Sequence, residues 1–340
     1  MSRKLIIRKY GVVTIMIRNS KKIKIKRRIY DSSNDKENNS DNTKEHRRKK
    51  RFIKPPKLSR TLDKRAFSEL ADEIPQFLKL THKESFMITA ADSRIGQRNE
   101  QQDSFFVTKT MPLSPFRLRR TFAVVCDGMG GLEAGDRASL TAVSMLKLAF
   151  DKLPTAKVDI PKFFSEMIDY IDCEINRWDD LKTDKGAGTT LVSVIIENRR
   201  LYWASVGDSS IFIYQQGKLK RITTSHNYKK ILDKMVDGGV LSQEQAEHDP
   251  QKDALVSYLG MGGVTFREIN SKPYVLRSGD ILMLCSDGVT NTLSESDIAA
   301  VIKENSDDVY RCCKEINQSV SKKNNAMQDN STVVIIQYAE

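Results

Sequence analysis

The stretch Phe122-Ala123-Val124-Val125-Cys126-Asp127-Gly128-Met129-Gly130-Gly131 decides how the rest of the chain is read. Its four apolar residues and a cysteine run without polar alternation. That is the pattern of a strand buried on both faces, and a carboxylate followed by glycine marks its end. Asp127 is therefore expected at the lip of a core. The same order of residue types returns at Ile281-Leu282-Met283-Leu284-Cys285-Ser286-Asp287-Gly288, with a variant at Leu201-Tyr202-Trp203-Ala204-Ser205-Val206-Gly207-Asp208. It is reversed where Asp329-Asn330 leads into Ser331-Thr332-Val333-Val334-Ile335-Ile336. One Asp-Gly pair after a strand reads as a tight turn. Four carboxylates at the ends of core strands repel one another and lose hydration, so a fold that gathers them is expected to hold cations there. The chain has four histidines, no Cys-x-x-Cys and no His-Glu-x-x-His. An all-oxygen ligand set remains, which points to Mg²⁺ or Mn²⁺.

The ordered set Asp127-Gly128-Met129-Gly130-Gly131, Gly188-Thr189-Thr190, Val206-Gly207-Asp208-Ser209, Ser286-Asp287-Gly288 and Asp329-Asn330 resembles the metal-dependent serine/threonine phosphatases of the protein phosphatase 2C type. The resemblance runs from about Phe86 to the C-terminus. It also covers the segment Ser93 to Asp103, where the family places an arginine that grips the substrate phosphate and an acidic end that reaches the metals. By that match Arg98 is the phosphate clamp and Asp103 a metal ligand, direct or through water. Arginine suits the role because its planar, permanently charged fork grips two phosphate oxygens at once. The resemblance further implies that Asp127 bridges two cations, that Gly128 lends its carbonyl to one, and that Asp287 and Asp329 complete the other. A third, weaker ion is implied between Asp208 and Asp287. The implied activity is hydrolysis of phosphoserine and phosphothreonine by in-line attack of a water activated between two Mg²⁺ or Mn²⁺ ions. Its implied partners are phosphorylated proteins, with a Ser/Thr kinase working in opposition.

Three positions depart from the family pattern. Gln102 stands where glutamate is frequent, Met129 where some relatives carry a histidine thought to act as general acid, and Ser210 where many carry arginine. Gln102 and Met129 support an alternative, a pseudophosphatase that binds phosphoproteins without turnover. Retention of Asp127, Asp287 and Asp329 together argues against it.

With 340 residues, 39% of them hydrophobic, the chain is long enough to bury a sizeable core. Its charge of +12 is unevenly placed: residues 1–65 hold 23 Lys/Arg against 6 Asp/Glu, a balance of +17, and the remaining 33 against 38 leave −5. The expected organisation is a basic, largely disordered arm over 1–65 and a phosphatase domain over 66–340, with a flap-like insert at about 226–263. Lysine alternates with isoleucine at 22–26, which admits a marginal hairpin around Asn19-Ser20, and disorder is expected over 31–60. The arm reads either as a weak electrostatic tether to anionic membrane or nucleic acid or as a solvated tail. Five cysteines in apolar patterns suit buried thiols of a reducing compartment, and no apolar run approaches the roughly 20 residues of a membrane span, so a cytoplasmic monomer is expected.

Helical periodicity follows Gly131 over 136–152 and is clearer over 160–178, with Pro161 in the first turn. Strands at 189–197, 201–205 and 211–214 are too closely spaced for parallel crossovers, so antiparallel pairing is expected. Ser294 with Asp297 reads as a capping box, and Ser306 as the cap of a last helix. Strands in clusters and helices in pairs give an α+β fold, two antiparallel sheets packed as a sandwich and flanked by helix pairs in an α-β-β-α four-layer order. The family resemblance implies the same architecture.

Overall fold

A computed structural model of the chain describes residues 85–113, 118–129, 134–178, 187–252 and 254–340, together with the backbone of 3–9, 12–19 and 22–29. It divides into two units, Met1–Lys64 and Arg65–Glu340. In the first, β1 (Arg3–Lys9), β2 (Val12–Asn19) and β3 (Lys22–Ile29) form an antiparallel sheet in which Asn19 lies opposite Lys22. This strand pairing lies where the lysine-isoleucine alternation admits a hairpin. The segment 31–60, expected to be disordered, lies outside the described residues.

The second unit contains two antiparallel sheets. One holds β4 (Phe86–Arg94), β6 (Met111–Pro112), β11 (Ser210–Gln215), β12 (Lys218–Arg221), β15 (Ile281–Cys285) and β16 (Ser331–Ala339), in the order β12-β11-β15-β16-β4-β6. The other is built on the path β13-β10-β9-β7-β5, from β5 (Asp103–Val107), β7 (Arg120–Met129), β9 (Leu191–Glu197), β10 (Arg200–Val206) and β13 (Glu268–Ile269). The short β8 (Gly188–Thr189) joins β7, and β14 (Tyr274–Val275) joins β10.

The absence of polar alternation in the core strands has a direct cause. In β7, Phe122, Val124 and Cys126 face helices α1 (Ala134–Asp151) and α2 (Ile160–Asn176), while Ala123 and Val125 face the other sheet. In β15, Leu282 and Leu284 fill the space between sheets, while Met283 and Cys285 pack outward with Ile298, Cys313 and Ile316. Each fully buried aliphatic side chain contributes roughly 1.5–3 kcal/mol, so both faces of a strand must stay apolar. Helices α3 (Lys229–Asp237) and α4 (Gln243–Glu247) lie in the insert, α5 (Asp287–Thr290) follows β15, and α6 (Glu295–Glu304) and α7 (Val309–Lys322) complete the fourth layer.

Several sequence expectations need correction. Strand β7 does not end at Asp127, because Asp127 pairs with Asp103 inside the ladder and the strand continues to Met129, opposite Gly188. The third strand of the 189–214 cluster, β11, leaves the sheet of β9 and β10 and pairs with β12 and β15. The chain crosses between sheets at Gly207, whose φ of +95° suits glycine. The last helix is capped by Asp308, whose Oδ1 accepts from the N–H groups of Tyr310 and Arg311 at 3.0 Å, and not by Ser306. Cys173 is exposed, whereas the other four thiols are buried as expected. Ser294 and Asp297 do form the capping box. Among the described residues no helix is long and apolar enough to cross a membrane.

Candidate metal and phosphate site

At one end of the sandwich a cleft of about 370 Å³ is lined by Arg98, Asp127, Gly128, Asp208, Asp287 and Asp329, with Gln102, Met129, Leu255 and Asn330 among its other walls. Six of the seven residues singled out from sequence thus share one cavity. The seventh, Asp103, lies directly beneath it, opposite Asp127 in the ladder. Each carboxylate arrives on a different element: Asp127 within β7, Asp208 on the turn between sheets, Asp287 opening α5, and Asp329 just ahead of β16.

The glycines that follow two of these acids serve close approach more than turning. A Cβ on Gly128 would stand 2.0 Å from the carbonyl oxygen of Gly135, and one on Gly288 would stand 1.9 Å from that of Asn330. Backbone must pass at van der Waals distance at both places, so no side chain fits.

Buried hydroxyls hold the acids in place. The hydroxyls of Ser286 and Thr332 each donate to Asp103 Oδ2 at 2.7 Å. The Asp127 N–H donates to Thr190 Oγ1 at 3.0 Å, and that hydroxyl lies 2.7 Å from Ser209 Oγ, tying the Asp127 and Asp208 segments together. Asn330 holds the Arg98 loop: its amide donates to the carbonyls of Ile95 at 2.8 Å and Glu100 at 3.0 Å, and its Oδ1 accepts from the Gln102 N–H at 2.8 Å. His226 grips the residue before Asp208 twice, its N–H donating to the Gly207 carbonyl at 2.9 Å and its Nδ1 accepting from the Gly207 N–H at 3.1 Å. Sequence reasoning assigned no function to Thr190, Thr332, Asn330 or His226. Asn330 and Thr332 lie in or just after the Asp329 motif and Thr190 in the Gly188-Thr189-Thr190 motif, which is the signal that was available, whereas His226 lies outside these motifs.

The electrostatics are unfavourable without cations. Burial, then the charges of Asp103 and Asp287, push the Asp127 carboxyl well above the ordinary range. Burial raises Asp287 as well, and raises Asp103 to about 6 against the hydroxyl bonds that favour its ionised form. Two carboxylate oxygens, Asp103 Oδ1 and Asp287 Oδ1, are buried with no hydrogen-bond partner. A buried acceptor left bare is costly, and a hard cation satisfies it. The donor set present, carboxylates and a glycine carbonyl, therefore fits Mg²⁺ or Mn²⁺. Among the described residues no three of the acids converge on a single point. Asp329 instead pairs with Arg98, Nη2 to Oδ2 at 2.6 Å. With side chains 57% and 39% exposed, that pair is of the weak surface kind and is easily exchanged for another partner.

At the position where many relatives carry arginine, a guanidinium still arrives, from the neighbouring strand. Arg221 of β12 donates through Nη2 to Ser210 Oγ and to the Asp208 carbonyl, and lies over the Phe212 ring.

The sequence model of protein phosphatase 2C matches residues 89–234. The serine/threonine phosphatase stp of Listeria monocytogenes serotype 4b is 31% identical over 214 residues, which are 62% of this chain and 79% of that protein. The crystal structure of the Mycobacterium tuberculosis serine/threonine phosphatase PstP/Ppp shares the fold, with a TM-score of 0.62 and 24% identity over 75% of this chain and 100% of that one. The catalytic domain of PstP in complex with 2 manganese ions superposes comparably, with a TM-score of 0.60 and 24% identity over the same shares of the two chains. A relative matched over most of its length and a family pattern that spans the Arg98, Asp127 and Asp208 segments lead to one assignment: this chain belongs to the protein phosphatase 2C family.

Proposed function

We propose that the protein is a divalent-metal-dependent phosphatase that hydrolyses phosphoserine and phosphothreonine in proteins. The observation that carries this reading is the pair of bare, buried oxygens on Asp103 and Asp287 at a cleft that also holds Arg98. Similarity to stp supports the substrate class, and the manganese of the PstP catalytic domain supports the cofactor. Asp127, the Gly128 carbonyl, Asp287 and Asp329, with Asp103 behind them, would hold two ions, and Asp208 with Asp287 a third. Bound there, Mg²⁺ or Mn²⁺ supplies Lewis acidity that activates water near neutral pH and neutralises charge on the phosphoryl oxygens.

The remaining work falls to side chains of the chain itself. Arg98 spends one nitrogen on Asp329 and keeps further N–H donors with which to grip and orient a phosphoryl group. Thr190, Ser286, Thr332 and His226 keep the acids in register and so limit the rearrangement needed on binding. Among the described residues the cleft has no histidine, lysine, tyrosine or cysteine on its walls, and Met129 cannot donate a proton. Protonation of the leaving group must then come from a source other than Met129. In this reading the enzyme is a cytoplasmic monomer that opposes a serine/threonine kinase, and the +17 arm adds salt-sensitive contact with an anionic lipid or nucleic-acid surface.

Hydrolysis of an aryl phosphate and of a phosphothreonine peptide, with Mn²⁺ and with EDTA, tests the reading. Turnover that appears with Mn²⁺ and vanishes with EDTA is expected. Peptide binding without turnover under every metal condition would replace it with the pseudophosphatase.

A further inference from the structure

A second polar cleft, of about 500 Å³, shares Asp208 and Asp287 with the first and extends away from it toward the insert. It is also lined by Arg221, Lys229 and Lys230, with Asp233 one turn further along α3. The surroundings make these cations notable, because residues 66–340 carry a net charge of −5 and the adjoining walls are the carboxylates themselves. The Lys229 and Lys230 side chains are exposed, and the Lys230 charge is felt by the buried His226. Arg221 spends Nη2 on Ser210 and Asp208, while its Nε is buried with no partner. Lysines are ordinarily solvated, so their exposure alone carries nothing. What matters is their place on the wall of a groove that opens from the reaction site.

A phosphorylated residue in the first cleft fixes where its neighbours in the substrate chain run. At about 3.3–3.6 Å per extended residue, the next two or three residues are long enough to cross a cleft of this size. We propose that the second cleft is a subsite for the flank of the phosphoprotein and that it selects an acidic flank, carboxylate or second phosphate, through Lys229 and Lys230 backed by Arg221. The proposal rests on the phosphatase reading of the adjoining cleft. Charge complementarity of this kind, within a Debye length of roughly 8–10 Å, offsets the repulsion an acidic peptide meets from the catalytic carboxylates.

The test uses the full chain with Mn²⁺ at low ionic strength and matched phosphothreonine peptides carrying Glu, Ala or Lys on the N-terminal or the C-terminal side. Wild type should prefer Glu to Lys on one side by about 10-fold in kcat/KM, and added salt should shrink the ratio. Lys229→Glu with Lys230→Glu should bring that ratio to about 1 or below and leave aryl-phosphate turnover unchanged. Both positions are exposed in the first turn of a helix, where acidic residues are favoured, so the variant is expected to fold. A wild-type ratio of 1, or a ratio the double variant leaves intact, overturns the subsite. Fluorescence anisotropy of the same peptides reads the preference as affinity. If no peptide or aryl phosphate is ever turned over, the phosphatase reading fails, and the subsite still stands or falls on this binding ratio.

Discussion

The carboxylates of the first cleft and the insert between β12 and β13 are neighbours built to opposite standards. Asp103 and Asp127 lie inside a hydrogen-bonded ladder, with hydroxyls of Ser286, Thr332 and Thr190 on their side chains or backbone and apolar cores on both faces of the sheets. In the insert, helices α3 and α4 bury only Leu232 and Ala246, and most of their remaining surface faces solvent. Positions that must hold repelling charges within tenths of an ångström require a rigid frame, whereas recognition of a variable peptide flank tolerates a lightly packed one. The two regions meet at Gly207, gripped by His226, and at Leu255, which reaches the wall of the first cleft.

The sharpest way to break the contrast is Asp127→Asn. If Asp127 served only the ladder, asparagine would keep its backbone bonds to Thr189 and Thr190, and both activity and stability would change little. As a bridging ligand it loses a charge and a ligand oxygen, so turnover should fall by about 10³-fold or more. In EDTA the melting temperature should stay equal or rise, because one of the mutually repelling acids is gone, while most of the Mn²⁺-induced rise should disappear. Activity near wild type, or an undiminished Mn²⁺ shift in calorimetry, removes Asp127 from the centre of the site.

Arg98→Ala comes next in size. The guanidinium lies on an exposed loop held by Asn330 but points to the same cleft, so it belongs to the frame by anchorage and to recognition by exposure. Its loss should cost about 2 kcal/mol, roughly 30-fold in kcat/KM, mostly as a higher KM, because phosphate contacts form before the transition state. Steady-state kinetics with unchanged KM and kcat would assign Arg98 to its ion pair with Asp329 alone.

The same contrast explains what could be read without coordinates. Runs such as Phe122–Cys126 and Ile281–Cys285 announce themselves because burial on two faces forbids polar residues, and four acids at the ends of such runs announce a charged site. The register that sets Asp103 against Asp127 carries no local signal, and neither does the passage of β11 into the other sheet, since both depend on pairing between distant segments. The supporting hydroxyls of Thr190 and Thr332 look like ordinary strand residues until their partners are known. Asp-Gly in particular misleads: it suggests a turn, yet Gly128 lies in a continuing strand and Gly288 in a helical turn, both glycine because backbone passes against them.

The smallest expected effect separates the two regions by the sign of their pH dependence. Burial raises Asp103 from its ordinary 3.8 to about 6, so the folded chain without metal binds this proton more readily than the unfolded chain does. Its contribution to stability is complete below about pH 4 and is lost as pH rises through about 6. Asp127 and Asp287, also raised, act in the same sense. His226 runs the other way: burial, the main cause, lowers its pKa, so its contribution is complete above 6.5 and is lost as pH falls through the lowered value. Protonation would also take from Nδ1 the lone pair that accepts the Gly207 N–H. In EDTA, acidification therefore strengthens the carboxylate frame, whereas protonation of His226 would loosen its hold on Gly207. His226→Asn offers a non-titrating oxygen to the same N–H, so its melting temperature should climb more steeply with acidification than that of wild type. Asp103→Asn should climb less. With saturating Mn²⁺ the slope should reverse in wild type, because protons then compete with the cations that offset the repulsion. Parallel profiles for wild type and His226→Asn in EDTA would show that the imidazole does not couple the insert to the frame through its proton.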